Sequence, residues 1–320
     1  MKERIKELFQ KEYPATHLYA DRSTGQPAYH LGEIEEQNDI YMTLKTGEET
    51  DKGIITGICG STSFWMILIL GGGFLYKNNI EGALTAFGFC LALFIVPFLW
   101  EILHPLPLPI LFNRRTREAY FIHQNMLHHT PWEGIQAVSY QFDMTGLYSG
   151  TMGHAALEVQ MHRFREPEKQ ILVSLNMPMG RDIPTQQGIW EYIRAYMNEG
   201  PWFDRDGRHS DSDEYVRQCM KKTEHSLKNM FHGELRSFIY NDYPEGRSRW
   251  HVTSLFMLLG NMFIYPAFVI QEFTYDIARR RARNQWPDIV LERLRPDGPT
   301  TRLIDLEQPS PQSIPASGQA

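Results

Sequence analysis

Two long apolar segments, joined by a short polar link, constrain this chain more than any other feature of its sequence. The first covers residues 54–76 and has no charge between Lys52 and Lys77, and the second covers residues 83–100 and is also uncharged. A helix of roughly 20 apolar residues crosses the hydrocarbon core of a bilayer, which is about 30 Å thick. Because soluble helices seldom run this far without a charge, the pattern predicts a transmembrane hairpin over residues 51–104 rather than buried helices of a soluble core.

The remainder of the chain has the composition of a water-soluble protein. Mean hydropathy is -0.39 over 320 residues, so the membrane part is a minority of the chain. A net charge of -6 and a pI near 6.1 give no general attraction to nucleic acid, and no nucleic-acid partner is predicted. Two of the 3 cysteines lie inside the apolar segments, so there is no disulfide framework and the soluble part is expected in a reducing compartment.

Basic residues beside the apolar segments predict their orientation. Arginines cluster just after the second segment, whereas the link between the segments carries only Lys77. Because cytoplasmic flanks carry an excess of Lys and Arg, we expect both termini and the soluble regions to be cytoplasmic. The candidate residues for the membrane interface and for lipid head groups are Arg114, Arg115, Arg117, Arg279, Arg280, Arg281 and Arg283.

Small residues mark one side of the first apolar segment. Gly53, Gly57 and Gly60 recur at helical spacing, which lets another helix approach closely. We expect this side to pack against the second segment of the same hairpin. Dimerisation through these glycines, giving a homo-oligomer, is the alternative.

The soluble region over residues 105–199 has the rhythm of an antiparallel sheet. Residues 135–142 and 157–164 alternate apolar and polar side chains, and residues 183–198 have an amphipathic helical pattern. The predicted fold is therefore an α+β membrane protein: a transmembrane helical hairpin, a cytoplasmic antiparallel β domain closed by a C-terminal helix, and a third membrane-associated helix. The β domain resembles pleckstrin-homology-like domains in architecture.

A third apolar segment and several flanking regions complete the predicted organisation. Gly260, Asn261 and Pro266 interrupt the third segment, and an arginine run follows it. If this segment crossed the membrane, the arginines would lie outside, so we expect it to turn back at Gly260–Asn261 or to lie along the interface, with a third crossing as the alternative. The predicted regions are an N-terminal cytoplasmic arm with one or two strands (1–50), a helical connector (200–250), the third apolar segment (251–272), and a basic then disordered tail (273–320).

No sequence pattern predicts catalysis, a cofactor or a metal. Phosphate-binding glycine loops, the zinc-protease histidine pair and the serine-hydrolase elbow are all missing from the sequence. His123, His128 and His129 lie close together in sequence, but neighbouring strand residues point to opposite sides and no nearby cysteine or carboxylate completes a ligand set. We predict a non-enzymatic protein with a protein partner. A membrane enzyme acting on lipid or cell-envelope material is the alternative, and a channel is disfavoured because the apolar segments carry no charge.

Several short motifs point to a family. They are the paired apolar segments, FNRRTR at residues 112–117, PWE at residues 131–133, and the arginine run before WPDI at residues 286–289. Across residues 50–295 the chain resembles an uncharacterised proteobacterial membrane-protein family often encoded beside type VI secretion effectors. The resemblance implies a bacterial inner-membrane location and a role as an immunity or effector-associated factor, with a secreted effector or envelope component as partner. It brings no catalytic residues.

Overall fold

The structure is a computed structural model that describes residues 15–30, 32, 34–146, 150–176, 181–223, 227–240, 250, 252–282 and 284–307. The chain divides into two compact units. Residues 1–47, 108–223 and 285–320 form the first, called here the sheet unit, and residues 48–107 and 224–284 form the second, the helical unit. In chain order the elements are β1 (Ala15–Leu18), β2 (Ile34–Gln37), β3 (Tyr41–Leu44), α1 (Gly47–Thr50), α2 (Ile54–Met66), a π-helix (Ile67–Gly71), α3 (Gly72–Tyr76), α4 (Ile80–Leu103), β4 (Ile110–Asn113), β5 (Glu118–His123), β6 (Met126–Pro131), β7 (Ala137–Gly146), β8 (Gly150–Arg163), β9 (Glu166–Ser174), α5 (Ile183–Glu199), α6 (Glu214–Thr223), α7 (Leu227–Tyr240), α8 (Val252–Arg281), α9 (Asp288–Leu294) and α10 (Leu303–Glu307).

The sheet unit is built on one antiparallel sheet, which confirms the predicted α+β class. Its strand order is β1-β7-β8-β6-β5-β4-β3-β2, with β9 paired to β8. The sheet curls because different parts of the long strand β8 pair with β7, β9 and β6.

The first 50 residues do not form a separate arm. The strand predicted at residues 40–44 is observed as β3, and it pairs with β4 although the first two apolar helices lie between the two strands in sequence. Strands β1 and β2 belong to the same sheet, so the predicted N-terminal arm and the predicted β domain form one unit and not two. Residues 1–14 lie outside the described part of the chain.

A large aromatic core covers one face of the sheet. Helix α5 closes this face, as predicted, and Asp182 caps it by accepting a hydrogen bond from the backbone N–H of Thr185 at 3.0 Å. Trp132 and Trp190 are fully buried and stack with their ring centroids 5.3 Å apart. Both tryptophans are packing residues of this core.

The C-terminal segment packs on a second, smaller apolar cluster of the sheet unit. Leu111 and Tyr120 of the sheet meet Val290 of α9 and Leu303 of α10. The prediction of disorder after the basic run is therefore wrong as far as residue 307, because these apolar side chains have partners on the sheet. Residues 308–320 lie outside the described part.

The helical unit contains three helices that are long and apolar enough to cross a membrane: Ile54–Tyr76, Ile80–Leu103 and Val252–Arg281. The first two form the predicted helical hairpin, and the π-helix lies within the first of them. The third, α8, runs without a break through Gly260 and Pro266, so the predicted turn at Gly260–Asn261 is wrong. A proline inside such a helix is tolerated when neighbouring groups compensate for its missing N–H.

Candidate functional site

The helical unit has apolar side chains on its outside and small or polar ones inside. Thr56, Ser61 and Ser63 are buried, and the Ser63 hydroxyl donates to the carbonyl oxygen of Cys90 at 3.0 Å. The exposed side chains are large and apolar, and they include Leu68, Ile69, Leu84, Phe89, Val96, Phe256 and Leu259. This arrangement is typical of helices surrounded by hydrocarbon, where the hydrophobic effect does not drive helix pairing and small residues allow close contact.

The glycine side of the first apolar helix is covered by α8. A Cβ atom added at Gly53 would lie 2.5 Å from the carbonyl oxygen of Gln271, and one added at Gly57 would lie 2.6 Å from that of Ala267. The second apolar helix also reaches this side, since Phe94 lies against Gly60 and the Glu101 carboxylate accepts a hydrogen bond from the backbone N–H of Gly53 at 3.1 Å. The expected packing named only the second segment, whereas the close backbone contacts at Gly53 and Gly57 are made by the third helix.

Successive contacts show that α2 and α8 run antiparallel. Gly53 meets Gln271 at one end, whereas further along α2 the Trp65 indole donates to the carbonyl oxygen of Phe263 at 3.0 Å. The arginines at residues 279–281 therefore lie at the end of the helical unit where the first apolar helix begins. The charge objection to a third crossing assumed the opposite direction, so it no longer holds.

A buried carboxylate caps the first apolar helix. Glu101 accepts hydrogen bonds from the backbone N–H groups of Gly53 at 3.1 Å and Thr56 at 3.0 Å, and from the Thr56 hydroxyl. Its side chain has almost no exposed surface. A negative charge at this position satisfies the free N–H groups of the first turn and complements the helix dipole. In the sequence, Glu101 is marked only as the first charge after the second apolar segment.

The arginines predicted at the membrane interface fall into two groups. Arg115 donates to the carbonyl oxygen of Gly298 at 2.6 Å, and Arg117 pairs with Glu133 and donates to the carbonyl oxygen of Met197 at 3.0 Å. These contacts give both residues a structural role inside the sheet unit. Arg114, whose backbone N–H bonds the carbonyl oxygen of Ile40, lies in the same turn. In the second group Arg279, Arg280 and Arg281 are exposed, and Arg283 lies outside the described residues. The interface role of all seven stays a prediction.

The sheet unit brings two histidines and a distant glutamate together. In the β6–β8 pairing His129 stands opposite His162, and their ring centroids are 4.3 Å apart. Glu307, the last residue of α10, reaches both rings. Its Oε1 lies 3.1 Å from His129 Nε2 and its Oε2 lies 2.9 Å from His162 Nε2. We call these three residues the His–Glu cluster.

A second carboxylate lies behind this cluster. The Oε1 of Glu118 is 3.4 Å from His129 Nδ1, and both side chains are fully buried. The same carboxylate accepts hydrogen bonds from the backbone N–H groups of Leu303 at 2.9 Å and Ile304 at 3.1 Å, and from the Tyr120 hydroxyl at 2.8 Å. Glu118 thus caps the start of α10, and this cap helps to bring Glu307 to the histidines.

The cluster keeps the Glu307 carboxylate ionised. Burial opposes the charged form of Glu307, but hydrogen bonds from the backbone N–H of Arg165 and from the rings of His129 and His162 outweigh it and lower the pKa of this carboxyl. Burial and the neighbouring Glu118 raise the pKa of the Tyr120 phenol, which therefore stays protonated. Two carboxylates and two imidazoles in one place can share protons or hold a cation.

Sequence reasoning missed two members of this cluster. Strand periodicity was visible around His162, but only the β6–β8 register places it opposite His129. Glu307 lies 178 residues from His129, in a stretch predicted to be disordered, and no local signal marks it.

Comparison of the chain with protein-family models, with curated proteins and with solved structures finds no match. The resemblance to a type VI secretion-associated membrane family therefore stays a prediction. A function for this chain has to be argued from the geometry of its two units.

Proposed function

We propose that this chain is an interaction protein of the bacterial inner membrane, anchored by its helical unit, whose sheet unit binds a protein partner in the cytoplasm. The observation that carries the proposal is the reversed burial in the helical unit. Leu84 and Phe256 are 66% and 78% exposed there, while Thr56 is fully buried. Water disfavours an apolar surface of this extent, and a bilayer accommodates it.

The direction of the three apolar helices supports a consistent topology. Antiparallel packing of α2 and α8 places Lys52 and the arginines of residues 279–281 at one end, and the short link after Tyr76 at the other. Under the positive-inside rule the basic end is cytoplasmic. With the sheet unit in the cytoplasm, α8 can start at the outer end only if the chain between residues 223 and 252 crosses the membrane too. Helix α7 lies in this stretch and packs against α8, with the rings of His232 and Tyr265 5.8 Å apart.

Features of the sheet unit support a binding role. A groove of about 420 Å³ lies beside β1, which ends the strand order. Its apolar floor includes Leu18, Ile135 and Leu172, and its polar side chains include His17 and Gln136. An apolar floor with polar groups at its edge, next to a terminal strand, suits an extended protein segment. The curled sheet followed by α5 also supports a pleckstrin-homology-like architecture.

The partner we propose is a secreted effector or an envelope component, which the chain holds or neutralises as an immunity factor would. To test this, a photo-crosslinking residue is placed at Gln136 of the full chain in its native membranes. The matched control carries the same residue at Asp206, which is exposed and does not line the groove. We expect one stoichiometric crosslinked protein from position 136 and none from position 206.

Two results would count against the proposal. If alkaline carbonate releases the chain from membranes, the helical unit does not anchor it in the bilayer. Equal crosslinking from both positions, or none from position 136 in a chain that stays in the membrane, would remove the groove as the binding surface.

A further inference from the structure

We propose that His129, His162 and Glu307 bind one divalent transition-metal ion of the Zn²⁺ class, and that this ion fastens the C-terminal segment to the sheet. The site would lie in the sheet unit and does not depend on the function proposed above. Glu118 would act as a positioning residue behind His129.

The donor atoms have the spacing and chemistry that such an ion needs. One ligand atom from each residue lies within 4.8 Å of the others. The two nitrogen–oxygen separations, 3.1 Å and 2.9 Å, fall just short of the roughly 3.4 Å expected between ligands around a tetrahedral Zn²⁺ with bonds of about 2.1 Å. Shifts of a few tenths of an ångström would bring these two separations to that value. Two imidazoles and a carboxylate form a common three-residue ligand set that leaves a fourth position for water.

The orientation of His129 also favours a cation. Its Nδ1 has no hydrogen-bond partner of good geometry and faces only the Glu118 carboxylate, at 3.4 Å. A proton on Nδ1 is therefore directed at Glu118, which leaves the lone pair of Nε2 pointing at Glu307. A carboxylate behind a ligating histidine is the usual arrangement around a bound metal, because it fixes the tautomer and the ring orientation.

Protons alone satisfy the cluster less well than one ion does. A lone pair on each Nε2 would face an oxygen of Glu307, so a proton or a metal must lie between them. With protons alone, each Nε2 carries a hydrogen toward Glu307, and the Nδ1 lone pair of His129 then faces the Glu118 carboxylate at 3.4 Å unless that ring takes a second proton. A divalent ion lets His129 keep a single proton on Nδ1, directed at Glu118, and a lone pair on Nε2, directed at the ion.

No other cation competes for Glu307 among the described residues. Its ion pairs are with His129 and His162. Arg163, next to His162 in sequence, pairs with Glu166 at 3.1 Å. Arg165 gives Glu307 only its backbone N–H and lays its guanidinium over the ring of Phe164, 5.2 Å from the centroid. The carboxylate therefore has its negative charge directed at the two imidazoles.

The site is tested with the full chain purified in detergent, after removal of any affinity tag. Co²⁺ serves as the probe because its visible absorption reports tetrahedral coordination, and Zn²⁺ serves as the competitor. We expect one Co²⁺ per chain, displaced by Zn²⁺. His162→Gln and Glu307→Gln should abolish the absorption, and Glu118→Gln should weaken binding about 10- to 100-fold. The matched control is His123→Gln, an exposed histidine on the adjacent strand β5, which should bind as the wild type does.

Hydrogen exchange provides a second readout that does not depend on the Co²⁺ absorption. Removing the metal with a chelator should raise backbone exchange at residues 303–307 in the wild type and leave the Glu307→Gln variant unchanged. If the wild-type chain binds no Co²⁺, or if His162→Gln together with Glu307→Gln binds it equally well, the site is not a metal site. The cluster is then a hydrogen-bonded clamp.

Discussion

The two units of this chain bury opposite kinds of side chain. In the sheet unit the large apolar residues are inside, and Trp132 and Trp190 have no exposed surface. In the helical unit Thr56 and Ser61 are inside, while Leu84 is 66% exposed. One rule of folding, that each surface matches its solvent, gives both results if the solvents differ. The contrast is what water around one unit and hydrocarbon around the other, as we propose, would produce.

Two buried carboxylates sharpen the comparison. Glu101 in the helical unit and Glu118 in the sheet unit both accept hydrogen bonds from backbone N–H groups at the start of a helix. The N–H groups and hydroxyls around them satisfy both, yet only Glu118 also faces an imidazole. The same capping chemistry is structural in one unit and is joined to a candidate ligand set in the other.

Truncating an aromatic residue should give the largest difference in lost stability between the two units. Trp132→Ala removes a fully buried side chain from the core of the sheet unit and should destabilise it by about 3–5 kcal/mol. Phe89→Ala in the helical unit removes a side chain that is 58% exposed, and should cost less than about 1 kcal/mol. Thermal unfolding in detergent, followed by near-ultraviolet circular dichroism, measures both. Equal losses would break the comparison.

Replacing an exposed leucine with aspartate tests whether water or hydrocarbon surrounds each unit. Leu91→Asp, at the middle of the second apolar helix, should raise the free energy of membrane insertion by about 3–4 kcal/mol. Leu306→Asp, on an equally exposed leucine of the sheet unit, should change stability by less than about 1 kcal/mol. The membrane-bound fraction of each variant is compared with wild type. Normal insertion of Leu91→Asp would mean that this surface faces water.

The close approach of α2 and α8 predicts a smaller loss. Gly57→Leu would force a side chain against the carbonyl oxygen of Ala267 and should destabilise the helical unit by about 2–3 kcal/mol. Gly72→Leu is the control, since nothing lies within 4 Å of an added Cβ there. Unfolding temperatures in detergent should fall only for the first variant. A fall for both would show that the close contact at Gly57 is not the cause, because leucine has the higher helix propensity and does not by itself lower the stability of a helix.

Removing the cap of the first apolar helix should have the smallest effect. Glu101→Ala leaves the backbone N–H groups of Gly53 and Thr56 without their acceptor, which costs about 1–2 kcal/mol. Glu101→Gln keeps a carbonyl oxygen and should lose less. Glu81→Ala, at an exposed residue of the same helix, should leave the unfolding temperature unchanged. If all three variants match, the buried carboxylate does not stabilise the helix start.

The sequence predicted the features that depend on nearby residues. The apolar helices were recognisable because their length and lack of charge are local properties. The interior of α5 was also predicted from its spacing. The direction and partner of α8 were not predictable, since they depend on contacts between Gly53 and Gln271, far apart in the chain.

The errors in the sheet unit have the same origin. Strand β2, with the sequence IEEQ, is short and polar, and only its pairing with β3 stabilises it. Pro, Ser and Gln after residue 307 led to a prediction of disorder that extended too far back, over the apolar residue Leu303. The His–Glu cluster depends on a strand register and on this docked segment, and neither leaves a local signal.

The most direct test of the contrast between the units is the accessibility of single cysteines in intact cells. Cys59, Cys90 and Cys219 are first replaced, and a cysteine is then placed either at Lys77, in the link after the first apolar helix, or at Ala282, just after the arginine run. We predict that an impermeant thiol reagent labels Lys77→Cys in intact cells and labels Ala282→Cys only after permeabilisation. Labelling of Ala282→Cys in intact cells, with Lys77→Cys protected, would contradict the proposed orientation. Labelling of both residues in intact cells would place the arginine run outside and would contradict the proposed orientation as well. Protection of both would contradict a hairpin that crosses the membrane.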